Sequence, residues 1–525
     1  MGGGLLQLVA YGAQDAYITG NPHITFWKVL YKRHTNFAME AFRVNFTGKA
    51  TYGQRVVAVV NRNADLMYKT YLEVKLPDTT TAANTSNTYN VLWTGAWERR
   101  LGYQLLKKIE VEIGGQIIDT HYGEWLFLWE NLTSGFDNSV KLDSMTGGFL
   151  GGSTSSTISC GGRPNILYIP LQFWFCRNPG LALPLIALQY HEVRINVTLS
   201  PATDLVSKGS WSSVSAAAAA LPQLTDMALY IDYIYLDVDE RRRFAQQSHE
   251  YLIDQLQFGL QQTITNSSAR IDLTLNHPVK ELVWVFQDAR KTDCGSTLTS
   301  NMGFTQPFSY DDIVNRCRLQ INGQDRFDER YGDYFWRVQP YQHHSGGAFW
   351  PMRAQAFAPA ATTFVYNSGG FSITNDVLTI TKTGGPDTGS GNIIEGCLVT
   401  GTNIAPGTII AAFGSGVGQD GTYQLSEVPI GTVSGNLTFT LPNIQYTPHE
   451  NPINVYSFAL QPEEHQPSGT CNFSRIDTTT LVFDSITESG LSKPTKSTPF
   501  NFRIYGVNYN IFRVMSGMGG LAYSN

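Results

Sequence analysis

Between Lys108 and Ile113 the chain alternates charged and apolar side chains: Lys108, Glu110 and Glu112 on one face, Ile109, Val111 and Ile113 on the other. That period of two predicts a strand with one buried face. The pattern returns two hundred residues later, where Cys317, Leu319 and Ile321 alternate with Arg316, Arg318 and Gln320. Both runs end in a turn pair, Gly114-Gly115 or Asn322-Gly323, of the kind that supplies the positive φ angles of tight hairpins. Gln116 or Gln324 follows, and further on Tyr122-Gly123 or Tyr331-Gly332 with an acidic residue, Glu124 or Asp333. The period then changes to that of a helix. Trp125, Leu128, Trp129 and Leu132 follow i, i+3, i+4, i+7, and Tyr334, Val338 and Tyr341 follow i, i+4, i+7. Each unit therefore predicts a hairpin followed by a short amphipathic helix.

Other stretches repeat in the same order. "RVVAVVN" from Arg55 resembles "RIDLTLN" from Arg270, and "VRIN" from Val193 resembles "SRID" from Ser474. "LYIDYIYLDV" from Leu229 and "FNFRIYGVNY" from Phe500 each close their half with an aromatic-rich strand. Colinear repetition implies a tandem duplication, and the widening offset places an insertion in the second half. From Ser368 to Thr440 the sequence holds 15 glycines and only 6 charged residues, in short alternating pieces such as "DVLTITKT" and "GTYQLS". These predict a small module of strands joined by glycine turns; the alternative is a low-complexity loop.

Each half, without the insertion, is a series of short strands separated by Gly, Pro, Asn and Asp turns, with few helices. The expected fold class is all-β: two tandem antiparallel sandwiches, of which the eight-stranded jelly roll is one form, with a small β-rich insertion in the second. The expected divisions are 1–24, an N-terminal segment; 25–245, the first sandwich; and 246–525, the second, with 368–440 inserted.

Composition narrows the function. Charged residues make up 15% of the 525-residue chain, below the roughly 25% usual for soluble domains, while 26 Tyr and 28 Phe are present. Scarce charge with many aromatics suits an assembling subunit. The net charge is -6, and the one basic run, Arg241 to Arg243, lies beside Asp237, Asp239 and Glu240, which reads as a self-compensated turn. No phosphate-binding footprint is present, so direct nucleic-acid binding is not expected. Six dispersed cysteines carry no CxxC pair, in keeping with reduced thiols. No basic residue precedes Lys28 and no uninterrupted apolar run of membrane length occurs, so neither a signal peptide nor a transmembrane helix is expected.

The opening "GGGLLQLVAYGAQDAYITGNPHITFWKVLYKRHTNFAME", the stretch "FCRNPGLALPLIALQYHEVRI" and the closing "NFRIYGVNYNIFRVMSGMGGLAYSN" resemble the major capsid proteins of the nucleocytoplasmic large DNA viruses of eukaryotes. The resemblance covers nearly the whole chain outside the insertion. It implies two jelly rolls side by side and a homotrimeric capsomer of pseudo-hexagonal outline. Such capsomers tile an icosahedral shell around an internal membrane, made and assembled in the host cytoplasm. Neighbouring capsomers, minor capsid proteins and penton proteins are the implied partners, and no cofactor is implied. By the same likeness the N-terminal segment lies at the capsomer base, with Tyr11, Asp15, Asn21, Pro22, Arg33 and His34 as candidate contacts. Their plainer reading is a turn at Asn21-Pro22 and internal pairing of Arg33 and His34. The insertion is expected on the outer face.

Catalytic and metal readings find little support. Adjacent residues on a strand point to opposite faces, so His343-His344 does not read as a metal pair. Glu463, Glu464 and His465 lie between Pro462 and Pro467, which reads as a loop of solvated charge. No GxSxG elbow occurs. Sequons stand at Asn84, Asn131, Asn266, Asn436 and Asn472, candidate sugar acceptors by a route other than the secretory one. The alternative function class is a lectin-like double sandwich that stacks Tyr and Trp on sugars, for carbohydrate binding or host attachment.

Overall fold

In the computed structural model the described residues are 3–147, 166–207, 219–289, 308–346, 363–381, 393–440, 452–486 and 499–523, with shorter omissions inside these ranges. Sixteen strands form two rolls. The first roll holds β1 (Phe37–Thr47), β2 (Arg55–Val60), β3 (Leu66–Lys75), β4 (Leu106–Ile113), β5 (Gln116–His121), β6 (Ile166–Pro170), β7 (Val193–Leu199) and β8 (Asp226–Leu236). The second holds β9 (His249–Ile264), β10 (Ala269–Asp272), β11 (Pro278–Asp288), β12 (Val314–Ile321), β13 (Gln324–Asp325), β14 (Asn454–Ser457), β15 (Thr479–Ile486) and β16 (Phe500–Met515).

Pairing repeats strand for strand. In the first roll β1-β8-β3-β6 forms one antiparallel sheet and β2-β7-β4-β5 the other, joined where Phe46 of β1 pairs with Ala58 of β2. In the second roll β9-β16-β11-β14 and β10-β15-β12-β13 take the same places. This is the eight-stranded jelly roll, built twice. The alternation explains the sheets: Ile109, Val111 and Ile113 are buried in the first core, and Cys317 and Leu319 in the second.

One alignment made from sequence moves. The ladder sets Val193 against Ile113 and Thr479 against Ile321, so the counterpart of β7 begins at Thr479. "SRID" lies ahead of it, starting in the 3-10 turn Phe473–Arg475. Four similar letters outweighed the spacing of apolar positions, which is what the sheet reads.

The hairpin signal holds in both copies. Gly114, Gly115, Asn322 and Gly323 have φ of 60°, 87°, 50° and 78°. Past the hairpin, a Cβ on Gly123 would stand 1.9 Å from the Tyr103 carbonyl oxygen, and one on Gly332 would stand 2.0 Å from that of Val314. The repeated Tyr-Gly step thus lets the chain cross close over its own sheet.

The two helices then differ. In Gly123–Thr133, Trp125, Leu128, Trp129 and Leu132 are all buried, as their spacing predicts. In the second roll Tyr334–Val338 is a π-helix turn that runs into Gln339–His343. The wider turn shifts the buried face, so Phe335, Trp336, Gln339 and Pro340 point inward, while Tyr341 is 87% exposed and Val338 37%. The expected apolar stripe of Val338 and Tyr341 is therefore outside. Arg241 to Arg243 also depart from expectation: they lie in the helix Val238–Gln246, capped by Asp237, and Arg241 pairs with buried Asp65 at 3.0 Å.

The insertion is a sandwich of its own. Thr363–Tyr366, Leu437–Thr440 and Leu398–Thr400 form a three-stranded sheet. Phe371–Thr374, Val377–Ile380, Gly421–Leu425 and Ile410–Phe413 form a four-stranded one. Tyr366, Tyr423 and Phe439 fill a separate core with aliphatic neighbours. Its first strand starts before Ser368, where the composition changes, and pairs with its last. The insertion follows β13 and returns into β14, whose Asn454 pairs with Trp284 toward the Asp288–Phe500 end of the sheet. Residues entering β1 arrive at the opposite end of the equivalent sheet of the first roll, where Phe37 pairs with Leu236.

Candidate functional site

A cluster of largely buried polar contacts lies at the seam between the rolls. Glu124, at the start of the helix Gly123–Thr133, accepts from Arg503 Nε at 2.9 Å and Nη2 at 2.6 Å, from Tyr310 at 3.1 Å and from Tyr505 at 2.5 Å. Arg503 also donates to Gln287 at 2.7 Å. Burial works against the guanidinium charge, but Glu124 together with Tyr310 and Tyr505 holds Arg503 above its ordinary range. Burial, then Glu124, push the Tyr310 and Tyr505 hydroxyls well above their usual values, so both remain donors.

A second polar patch ties the same seam. Asp119 accepts from the Leu256 amide at 3.1 Å, and Gln255 donates to the Ile118 carbonyl. Lys280, fully buried, meets Asp254 at 2.9 Å, with Arg177 of the first roll at 3.6 Å from the same carboxylate. Around these lie Trp125 against Tyr505 and Trp174 against Phe512, at ring separations of 5.4 and 6.1 Å. Val283, Val285 and Val507 of the second roll join the hydrophobic core of the first. The first roll's core thus extends across the seam onto the second roll, which keeps a separate core of its own.

The His343-His344 segment corrects two expectations. It lies at the end of a helix, not on a strand, and His344 does have acidic partners: Glu281 at 3.1 Å from Nε2 and Glu463 at 3.0 Å from Nδ1. Glu463 is also bonded by Ser345 and is no freely solvated loop charge. The two carboxylates hold opposite ring nitrogens and do not converge on one point; among the described residues no group of three or more His, Cys, Asp or Glu could hold a metal. Burial disfavours the charged ring, yet the flanking Glu281 and Glu463 push His344 up to about 9. Since that exceeds the roughly 6.5 of an unfolded histidine, its contribution is present in full below pH ~6.5 and lost as pH rises through about 9. Chemical denaturation is expected to show stability falling by on the order of 3 kcal/mol over that window, and His344→Gln should flatten the slope. Glu463, held below its ordinary range, acts in the opposite sense on acidification.

The N-terminal residues form an exposed arm. Tyr11 lies just past the short helix Gly3–Val9, and Asp15 precedes Ala16–Thr19, its carboxylate accepting from the Gly12 amide at 2.7 Å. Asn21 has φ of 50° at a turn before Pro22, and Arg33 and His34 are exposed, with His34 Nδ1 2.7 Å from the Thr35 carbonyl. Leu5, Leu8, Ile18, Phe26, Trp27 and Tyr31 are exposed along the same arm. Of the sequons, Asn266, Asn436 and Asn472 are exposed, whereas Asn131 spends its side-chain amide on the Phe127 carbonyl at 2.7 Å within its helix. Asn84 ends the strand Thr80–Asn84, and its side chain lies outside the described residues. Nothing in the sequence pairs Glu124 with Arg503, which stand 379 residues apart. Their one signal was a charged residue inside an otherwise apolar or aromatic run.

Comparison with known proteins agrees with this geometry. Residues 25–237 match the family described as "Major capsid protein N-terminus", and residues 240–353 and 437–520 match "Large eukaryotic DNA virus major capsid protein". The chain is 40% identical to the major capsid proteins of Phaeocystis pouchetii virus and of Pyramimonas orientalis virus, with 100% of both chains covered in each case. It is 33% identical, again over 100% of both, to that of Paramecium bursaria Chlorella virus 1. Among solved structures, the PBCV-1 VP54 crystal structure fitted into a reconstruction of the virophage Sputnik superposes with a TM-score of 0.62 at 29% identity, covering 95% of this chain and 100% of that one. The Faustovirus major capsid protein shares the fold with a TM-score of 0.58 at 12% identity, covering 96% and 94%. Two like rolls, a buried seam and these matches agree: the chain belongs to the major capsid proteins of large eukaryotic DNA viruses and is a structural component of the virion shell.

Proposed function

We propose that three copies of this chain close into a capsomer of pseudo-hexagonal outline, and that these capsomers tile an icosahedral shell. The observation that carries the reading is the duplication: two rolls with the same strand order per chain give a threefold ring six similar walls. Its work is done by interfaces, not by catalysis, and needs no cofactor. Residues 1–24 form the base segment, 25–245 the first roll and 246–525 the second, with 368–440 on the outer face. Entry of the arm and of the insertion at opposite sheet ends supports that polarity.

The exposed apolar arm suits contact with minor capsid and penton proteins on the side of an internal membrane, with Tyr11, Asp15, Asn21, Pro22, Arg33 and His34 among the contacts. Among the described residues no helix is long and apolar enough to cross a membrane. Synthesis and assembly take place in the host cytoplasm. Deleting residues 2–24 is expected to leave the trimer intact in light scattering, because none of the arm's described residues enters the rolls' cores. Complete shells should be lost in electron microscopy of the assembled product. Normal yields of shells from the deleted protein would sink the assembly role of the arm.

A further inference from the structure

Acidic residues stop at Asp15 and do not return until Glu40. Between them stand Lys28, Lys32 and Arg33, in a chain whose net charge is -6. The same stretch carries Phe26, Trp27, Val29 and Tyr31, all exposed, Trp27 by 85%. Lys32 and Arg33 follow directly and are exposed as well. Upstream, the helix Gly3–Val9 buries none of its residues and leaves Leu5, Leu6, Leu8 and Val9 in solvent. So much apolar surface along one segment, rimmed by charge, marks an interaction site, and neither core of the rolls takes any of these side chains.

The end of the sheets from which the arm leaves is apolar too. Phe37 opens β1 opposite Leu236 of β8, and the chain then runs through the helix Val238–Gln246 into β9, whose His249 pairs with Val514 of β16. Phe37, Met39, Val238, Met515 and Met518 are exposed around that junction. Tyr190, whose amide donates to the Gly517 carbonyl at 2.9 Å, is exposed beside them. Asp237, Asp239 and Glu240 offset the helix's own arginines, and Arg513 pairs with Glu250 at 2.8 Å. The arm meets no such acid in its own sequence before Glu40. Aliphatic, aromatic and cationic side chains thus share one exposed segment. A nucleic-acid strand uses the rings and the cations but gives Leu5, Leu6, Leu8 and Val9 no partner. A phospholipid surface uses all of them: the acyl boundary takes the aliphatics, the headgroup level suits Trp and Tyr, and anionic phosphates attract Lys and Arg.

We propose that Phe26, Trp27, Val29 and Tyr31 enter the headgroup region of an anionic phospholipid bilayer, with Lys32 and Arg33 set against lipid phosphates. The segment lies in the interface and does not span it. The inference goes beyond the protein contacts proposed for the arm and gives Arg33 a phosphate as its partner. Stable anchoring takes two signals, and here the basic, aromatic segment and the helix Gly3–Val9 supply them. A capsomer with three arms on one face multiplies the effect; only that last step rests on the reading of the protein as a trimer.

The test mixes the full-length protein with vesicles of phosphatidylcholine, with or without phosphatidylserine, and floats them through a density gradient, with light-scattering mass read on the same protein. Wild type is expected to float with the phosphatidylserine vesicles and far less with the neutral ones. Phe26→Ser with Trp27→Ser should abolish flotation, and Lys32→Glu should weaken it at least about fivefold, the contribution of one basic residue near an anionic surface. Lys49→Glu, the same change of charge at an exposed position between β1 and β2, at the other end of β1, should float like wild type. All four positions are exposed, and unchanged melting of the variants checks that the rolls remain folded. Wild type that floats with neither vesicle, the result expected if another protein covers this segment, overturns the proposal. So does equal flotation with and without phosphatidylserine, flotation that survives the changes at Phe26 and Trp27, or weakening by Lys32→Glu and Lys49→Glu alike. A trimer that stays out of lipid leaves self-assembly standing, whereas a monomer that floats on phosphatidylserine keeps this inference and overturns the capsomer.

Discussion

Arg503→Ala is expected to lower the unfolding free energy by about 3–5 kcal/mol, the usual result of removing one partner of a buried ion pair. Arg503 and Glu124 side chains are 13% and 15% exposed, and the bond joins residues 379 apart in sequence. Alanine would leave Glu124 with two tyrosine hydroxyls but no cation, inside a contact that also buries Trp125. Glu124→Gln should cost a similar amount by stranding the guanidinium. Combining Glu124→Gln with Arg503→Met should recover part of the loss, since the double variant leaves neither charge buried without its partner. Denaturant unfolding followed by tryptophan fluorescence, with Trp125 and Trp129 beside the seam, reads all three. A loss below about 1 kcal/mol for Arg503→Ala, the range of exposed pairs, would show that the seam does not depend on this contact.

What could be read from sequence follows from which forces are local. Alternation at Ile109 to Ile113 and at Cys317 to Ile321 is set by the pleat, so both strands and their hairpins are visible before any fold is known. Helical spacing also succeeded for Trp125 to Leu132, where an α-helix lies flat on the seam. It failed for Val338 and Tyr341 because a π-turn at Tyr334–Val338 rotates the register, a change no period of 3.6 anticipates. The start of β15 was missed for a different reason: its place is fixed by pairing with β10 and β12, and letters alone cannot weigh a ladder.

Buried polar chemistry was least visible. Glu124 and Glu463 look alike as letters, each an acid near a turn. One is enclosed by Arg503, Tyr310 and Tyr505, the other holds His344, and both environments are assembled from distant strands and loops. The arm shows the reverse case. Its apolar residues Leu5, Leu8, Ile18, Phe26, Trp27 and Tyr31 are exposed and stand outside the rolls' cores.

The duplicated glycines provide the sharpest separation between two roles of one residue type. Gly123→Ala is expected to cost at least about 3 kcal/mol, at or above the upper end of the usual overpacking range. Its new Cβ would sit 1.9 Å from the Tyr103 carbonyl oxygen and 2.5 Å from that of Leu106, both backbone atoms that move only with the strand they enter. Gly332→Ala repeats the problem against Val314 at 2.0 Å in the second roll. By contrast, Gly115 and Gly323 have open space around a Cβ, and alanine there meets only the left-handed backbone penalty of about 1–2 kcal/mol. Melting temperature and soluble yield of the four single variants should therefore fall into two pairs, one from each roll, with Gly123 and Gly332 the costlier. If instead the variants group by roll, with both first-roll changes severe and both second-roll changes mild, the two Tyr-Gly steps do not have the same structural task. The duplication would then be one of strand order, without a shared mechanism for turning the chain over the sheet.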